Sequence, residues 1–357
     1  MQPLIRVSGI VPHRESTMSH LRDSIETIRR DLGPRLLILG HHYQNPDVLR
    51  HADVIGDSLE LARKAAASKA ERIVFCGVHF MAESADILTA PDQQVYMPEP
   101  AAGCPMANMA DDYQVEKAWA FLSRQGNDWL PVVYVNSTAK LKAFCGRTGG
   151  SACTSSNAAK VFQWAFAQGK RIFFLPDIHL GVNSAHDLGI PDEQTALYDY
   201  QKPEGGLAPG ALSHVRLLVW GGYCPIHVNF TLGDIQAARA SCPEARIIVH
   251  PETPKEIVRL VDAHGSTSQI IKYVEAAPDG ATIFIGTESQ LVKRLAEEHK
   301  PRLTIRMLRG SFCPNMAKTN EQNLARVLTD WPDRNRVKVP ANLIPDARLC
   351  LERMLAL

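Results

Sequence analysis

One phrase recurs along the chain: a short run of β-branched and aromatic residues, a polar loop, then an amphipathic stretch. The runs are RLLILG (35–40), RIVFCG (72–77), PVVYVN (131–136), RIFFLP (171–176), VRLLVW (215–220), RIIVHP (246–251), ATIFIG (281–286) and LTIRML (303–308). Amphipathic partners include residues 47–68, 155–169, 231–242 and 255–265, and a helical-looking arm (16–32) precedes the first run. The runs are continuously apolar rather than alternating, as strands buried on both faces are. Alternation with helices then predicts α/β architecture built from parallel sheets covered on both sides.

In such sheets ligands bind beyond the carboxyl ends of the strands. The loops that follow the runs hold His41, His42 and Tyr43; His79 and Glu83; Asn136, Ser137 and Thr138; Asp177 and His179; Cys224 and His227; His250 and Glu252; Thr287 and Glu288; and Cys313. Three loops share a Cys-Pro step: AAGCPMA at Cys104, WGGYCPIH at Cys224 and RGSFCPNM at Cys313. They divide the chain into segments that are each the size of a small α/β unit. The proline removes a backbone donor and extends the cysteine before it. Gly103, Gly222 and Gly310 precede the cysteines and are expected to ease close backbone approach. Three thiolates without a fourth suit a [4Fe–4S] cluster with one open iron, or a three-cysteine zinc site. Three buried cysteines beside turn prolines are the plain alternative. Cys242–Pro243 precedes a strand, so it belongs on the opposite rim; Cys76 reads as core, and Cys145 and Cys153 carry no assignment.

Composition narrows the function classes. A chain of 357 residues exceeds one ordinary core and predicts two or three subdomains. A net charge of +1 without a basic block excludes the footprint of a nucleic-acid or anionic-membrane binder. No apolar window reaches the ~18 residues of a membrane span. Arg6 interrupts the N-terminal apolar stretch, which does not read as a secretory signal, so a cytoplasmic location is expected. The eight cysteines are too scattered for a disulfide scaffold.

Hydroxyl-rich segments stand at predicted helix starts: Ser58; Ser137 and Thr138; Thr154, Ser155 and Ser156; and Ser266, Thr267 and Ser268. Each alone is a helix cap, and together they point to an anionic substrate. No Walker A or GxGxxG pattern occurs, which argues against a nucleotide cofactor. His250 and Glu252, two residues apart, are proton-transfer candidates, and His227 follows Cys224 closely enough to meet a ligand there.

The ordered stretches LGHHYQNPDV, IGDSLELA, VFCGVHFMAESADIL, PAAGCPMA, VVYVNSTA, CTSSNA, PDIHLG, VHPETPKEI and GSTSQII resemble the quinolinate synthase family, iron–sulfur enzymes of NAD biosynthesis, over roughly residues 35 to 315. The resemblance implies three pseudo-symmetric three-layer α/β/α domains with short parallel sheets around a central active site. Their expected bounds are a helical arm at 1–34 and domains at 35–115, 116–225 and 226–313, with 314–357 packing on the first. It implies one [4Fe–4S] cluster held by Cys104, Cys224 and Cys313, its fourth iron a Lewis acid. The implied reaction condenses iminoaspartate with dihydroxyacetone phosphate, releasing phosphate and water to form quinolinate. By motif, Tyr43, Tyr134 and Glu252 would handle protons, and His41, Ser58 and Asn136 would orient the dicarboxylate. Ser155, Ser266 and Thr267 would hold phosphate or carboxylate, and His227 and His250 would contact substrate near the cluster. Expected partners are the two substrates, an L-aspartate oxidase and iron–sulfur assembly machinery, with neither nucleic acid nor membrane. The C-x-x-C pair that some relatives carry near the third cysteine is absent. A three-cysteine zinc protein and a metal-free binder of sugar phosphates or dicarboxylates are the competing readings.

Overall fold

The structure, a computed structural model, describes residues 13–357; the start of the expected arm and the apolar stretch around Arg6 lie outside the described residues. Helix α1 (His13–Leu32) leads into β1 (Leu36–His41), α2 (Pro46–Leu49), β2 (Val54–Gly56), α3 (Ser58–Ala67), β3 (Arg72–Cys76), α4 (His79–Leu88) and β4 (Gln94–Tyr96). A second series follows: α5 (Asp112–Gln125), β5 (Trp129–Tyr134), α6 (Ala139–Arg147), β6 (Ser151–Cys153), α7 (Ala158–Ala167), β7 (Arg171–Leu175), α8 (Ile178–Asp187), β8 (Thr195–Tyr198) and β9 (Leu217–Trp220). The third comprises α9 (Leu232–Ser241), β10 (Arg246–Val249), α10 (Lys255–Val258), β11 (Ala263–His264), α11 (Thr267–Glu275), β12 (Thr282–Gly286), α12 (Ser289–Glu298) and β13 (Thr304–Met307). The chain closes with α13 (Glu321–Asp330), β14 (Arg336–Val337) and α14 (Ile344–Ala356).

Among the described residues the strands form three sheets, ordered β2-β1-β3-β4-β14, β6-β5-β7-β9-β8 and β11-β10-β12-β13. Four strands in each repeat one order, and all pairings are parallel except β14 on β4. Every apolar run read from the sequence is a strand. Their Ile, Val, Phe and Leu side chains are almost wholly buried, because helices cover both faces. The edge strands β2, β6 and β11 are two or three residues long, too short to leave an apolar run. Two expected helices accordingly break. Residues 47–68 divide into α2, β2 and α3, and 255–265 into α10 and β11. In each case an aspartate turns the chain back into the sheet. Asp53 N–H donates to Ile38 O and its carboxylate accepts from Ile38 N–H; Asp262 makes the same two bonds with Ile247.

The tail touches two sheets. β14 extends the first, and α13 packs against α1. α14 lies on α6 and β6 of the second, so close that a Cβ at Gly146 would sit 1.8 Å from Asp346 O. Arg353 donates to Gly146 O and Gly150 O, fixing that seat. Cys145, Cys153 and Cys350 are fully buried beneath it, and burial pushes the Cys145 and Cys153 thiols well above their ordinary range. They are thus poor nucleophiles. No helix among the described residues is long and apolar enough to cross a membrane.

Candidate active site

The carboxyl ends of the strands converge on a cavity of ≈ 140 Å³. Cys104, Cys224 and Cys313 line it together. After each Cys-Pro step the chain makes one turn of 3-10 helix, at Met106–Asn108, His227–Asn229 and Met316–Lys318. That turn aims the backbone N–H groups two and three residues ahead at the sulfur: Met106 and Ala107 at Cys104, Ile226 and His227 at Cys224, Asn315 and Met316 at Cys313. Burial raises all three thiols, that of Cys104 to about 12; the Cys313 sulfur adds to the rise at Cys104, and the Cys104 sulfur to the rise at Cys224. Uncharged thiols would therefore prevail unless a cation shared the site. Thiolates are what a metal needs, and N–H groups aimed at sulfur stabilise metal-bound thiolates.

Glycine plays its expected part at one of the three loops. A Cβ at Gly222 would lie 2.5 Å from Pro176 O, whereas at Gly103 and Gly310 it would meet nothing within 4 Å. The loop at 220–224 is further held by Trp220. Its ring stacks with Tyr198 and Tyr200, and its N–H donates to Met109 O at 2.8 Å, just beyond the Cys104 turn. Cys242 caps the end of α9 before β10, on the far rim as expected.

Beside the thiols runs one hydrogen-bonded chain. Tyr134 donates to Glu252 Oε1 at 2.5 Å, and Glu252 Oε2 meets His227 Nδ1 at 2.7 Å. His227 Nε2 lies 3.1 Å from the Thr287 hydroxyl, which bonds the Tyr43 hydroxyl at 2.8 Å, and Thr267 donates to Tyr43 at 3.2 Å. Burial alone would raise the Glu252 carboxyl, but the His227 and His250 rings and the bonds from His227 and Tyr134 hold it at about 2. Burial, with Glu252 adjacent, drives the Tyr134 phenol far above its ordinary value, and burial does the same for Tyr43. The chain thus joins an ionised carboxylate to two phenols that keep their protons.

His41 and His250 are fixed in one tautomer by matching turns. Tyr43 N–H donates to His41 Nδ1 at 3.2 Å, and Glu252 N–H to His250 Nδ1 at 3.3 Å. Burial depresses both rings to about 3, so each is neutral with its proton on Nε2, a donor for a ligand. His250 stacks on His227 with ring centres 4.3 Å apart.

His41, Tyr43, Ser58, Tyr134, Asn136, Ser155, His227, His250, Glu252 and Thr267 all line the cavity. Asn136 Oδ1 is buried without a partner among the described residues. Ser266 stands apart: its hydroxyl accepts from Gln269 N–H in a capping box at the start of α11, and it does not line the cavity. His79, Glu83, Asp177 and His179 share the same class of loop but do not line it either. Sequence reasoning gave no role to Thr287, which links Tyr43 to His227, or to Asp57, whose carboxylate lies in the cavity wall. A hydroxyl one residue past a strand was the only signal for Thr287.

Cys224, His227 and Glu252 also bring three potential ligand atoms within 4.8 Å of one another and could hold a metal ion. Both His227 nitrogens and both Glu252 oxygens are already hydrogen-bonded, however, while the three sulfurs receive only backbone N–H groups.

Comparison with known proteins gives one result. The family described as "Quinolinate synthetase A protein" matches residues 23–356. A quinolinate synthase of Geobacillus thermodenitrificans is 46% identical over 97% of this chain and 96% of its own length. The Bacillus subtilis protein of that name is 44% identical over 97% and 95%, and that of Corynebacterium glutamicum 44% over 96% and 89%.

Proposed function

The chain belongs to the quinolinate synthase family of enzymes, and from that premise we propose that its cavity assembles quinolinate at a [4Fe–4S] cluster held by Cys104, Cys224 and Cys313. The substrates are iminoaspartate and dihydroxyacetone phosphate, and the products are quinolinate, phosphate and two waters. The observation that carries the reading is the threefold Cys-Pro turn, which directs two backbone N–H groups at each of three sulfurs on one cavity. When bound, such a cluster supplies an iron with an open position, a Lewis acid for substrate oxygen or nitrogen. We further read the chain as three units, 35–115, 116–225 and 226–313, acting in the cytoplasm, with an oxidase supplying the labile imine.

The residues of the chain do the rest. Ionised Glu252 accepts protons released as the carbon–carbon bond forms and as water leaves. Tyr134, bonded to Glu252, returns a proton to the departing oxygen, and Tyr43, tied to His227 through Thr287, serves the other end of the substrate. His41 and His250 present Nε2–H donors. Asn136 gains the partner its buried oxygen lacks. Ser58 and Ser155 offer hydroxyls to carboxylate and phosphate at helix starts, and Thr267 joins them by turning its hydroxyl away from Tyr43.

Anaerobically purified protein should carry about four irons and four sulfides per chain and form quinolinate. Cys224→Ala should lose the cluster and the activity while remaining folded; full iron content in that variant would exclude Cys224 as a ligand. A colourless protein with one zinc would favour the Cys224, His227 and Glu252 site instead.

A further inference from the structure

Asp57 connects the three sheet units through a single carboxylate. Its Oδ1 caps α3, accepting from Leu59 N–H at 3.1 Å and Glu60 N–H at 3.0 Å. Its Oδ2 accepts the hydroxyls of Ser156 at 2.6 Å and Ser268 at 2.5 Å. Ser156 lies just before α7 of the second unit and Ser268 in the first turn of α11 of the third, 99 and 211 residues away. Asp57 itself is 7% exposed. Burial would raise its carboxyl, but the two serine bonds, the Glu60 N–H and the neighbouring His41 hold it below its ordinary value, so it is charged.

The repeated strand order shows what this contact replaces. Each unit ends a short edge strand, β2, β6 or β11, and enters a helix, α3, α7 or α11. At the turn the units place Asp57, Thr154 and Ser266 in one equivalent position, and Ser58, Ser155 and Thr267 in the next. The third position is Leu59, Ser156 and Ser268. All three second-position hydroxyls line the cavity, and Thr154 and Ser156 of the second unit join them there. Both third-position hydroxyls reach across to the one acid at the first position.

We propose that Asp57 is a positioning residue that clasps the second and third units to the first, and so sets Ser58, Ser155 and Thr267 at the spacing that receives an anionic group of the substrate. Each Asp57 oxygen is filled by two donors, so its charge is met before an anion arrives, and charge-assisted hydrogen bonds of this kind are the strong ones. Ser268 lies off the cavity and Ser156 lines it, but both spend their protons on Asp57 and have none to give the substrate. The inference rests on the reading of this cavity as the quinolinate-forming site.

The test uses cluster-loaded full-length protein and two readouts: steady-state kinetics with varied dihydroxyacetone phosphate, and calorimetric binding of inorganic phosphate. Quinolinate formation and iron content of the unaltered protein check the underlying reading first and independently. Ser156→Ala and Ser268→Ala remove no helix cap and should each raise KM and the phosphate Kd about tenfold, the scale of one lost hydrogen bond to a charged group, with kcat within about twofold. Asp57→Asn keeps the α3 cap but loses the acceptor of both serines, and should match the Ser156→Ala/Ser268→Ala double variant; in that background neither serine change should add more. Unchanged KM, serine effects that persist in the Asp57→Asn background, or tighter phosphate binding would each overturn the proposal. The last outcome would make Asp57 a stand-in anion that substrate displaces.

Discussion

The loop from β1 to α3 and the loop from β10 to α11 are one backbone device bearing two chemistries. Each begins with a histidine whose Nδ1 accepts an N–H two residues on, passes through one short helical turn, returns by an aspartate bonded to the first strand, and ends at a helix start facing the cavity. The first loop carries Tyr43 where the third carries Glu252, and Asp57 where the third carries Ser266. The shared parts are the backbone bonds and the neutral histidine; the exchanged parts are a proton donor, an acceptor and a clasp. Repetition supplies the cavity's shape, and its chemical polarity comes from substitutions at equivalent positions.

The comparison breaks hardest at the exchanged pair. Glu252 is the only member that is ionised, and it bonds both Tyr134 and His227. Glu252→Gln should lower turnover by about 10²–10⁴, the range of a lost acid–base group, with iron content unchanged. Tyr43→Phe should cost less, because Thr267, Thr287 and His227 remain bonded to other groups or free to bond ligand. Equal losses in the two variants would show that the positions do equivalent work and that the exchange carries no chemistry.

The shared backbone device is the next target. Asp53 and Asp262 accept the N–H of Ile38 and Ile247 at 2.7 and 2.6 Å, and each also pairs with an arginine, Arg29 and Arg239. Replacing either by Ala strands an amide at the start of a strand, which costs about 1–3 kcal/mol. Thermal unfolding of Asp53→Ala and Asp262→Ala should show similar downward shifts of a few degrees. A loss in one alone would mean that the two turns are held by different forces.

Much of this was legible in the sequence because burial on both faces writes a continuous apolar run. Such a run announces the strand and the loop after it, hence His41, Cys224 and Glu252, whereas Tyr134, inside its run, came only from the family motif. The Cys-Pro steps stood out because the same pair recurs in three loops far apart in the chain. Edge strands such as Ser151–Cys153 left no run, since three buried residues with small side chains are too few to write one. The Asp57 clasp was invisible for another reason. Its partners are separated by 99 and 211 residues, and an aspartate before a helix already has a sufficient local role as a cap. Ser266 shows the reverse: expected to hold a ligand beside Thr267, it lies off the cavity, where its hydroxyl accepts from Gln269 N–H.

The smallest expected difference between the two loops lies in how stability depends on pH. Burial holds His41 and His250 at about 3 in the folded protein, against 6.5 for a free imidazole, and holds His42 at about 4. Above pH 6.5 both folded and unfolded chains leave these rings neutral, and they contribute no slope. As pH falls below 6.5 the unfolded chain binds protons that the folded chain refuses, so stability declines by up to about 1.4 kcal/mol per pH unit for each ring until the folded values are reached. The third loop has Pro251 where the first has His42, so the first loop should account for two such rings and the third for one. Unfolding measured between pH 6.5 and 5 should therefore flatten by one proton's slope in His41→Asn and equally in His250→Asn, since asparagine can still accept the N–H two residues on. A larger effect at 41 than at 250 would mean that protonation of His41 also discharges onto His42, the one neighbouring imidazole that the third loop lacks.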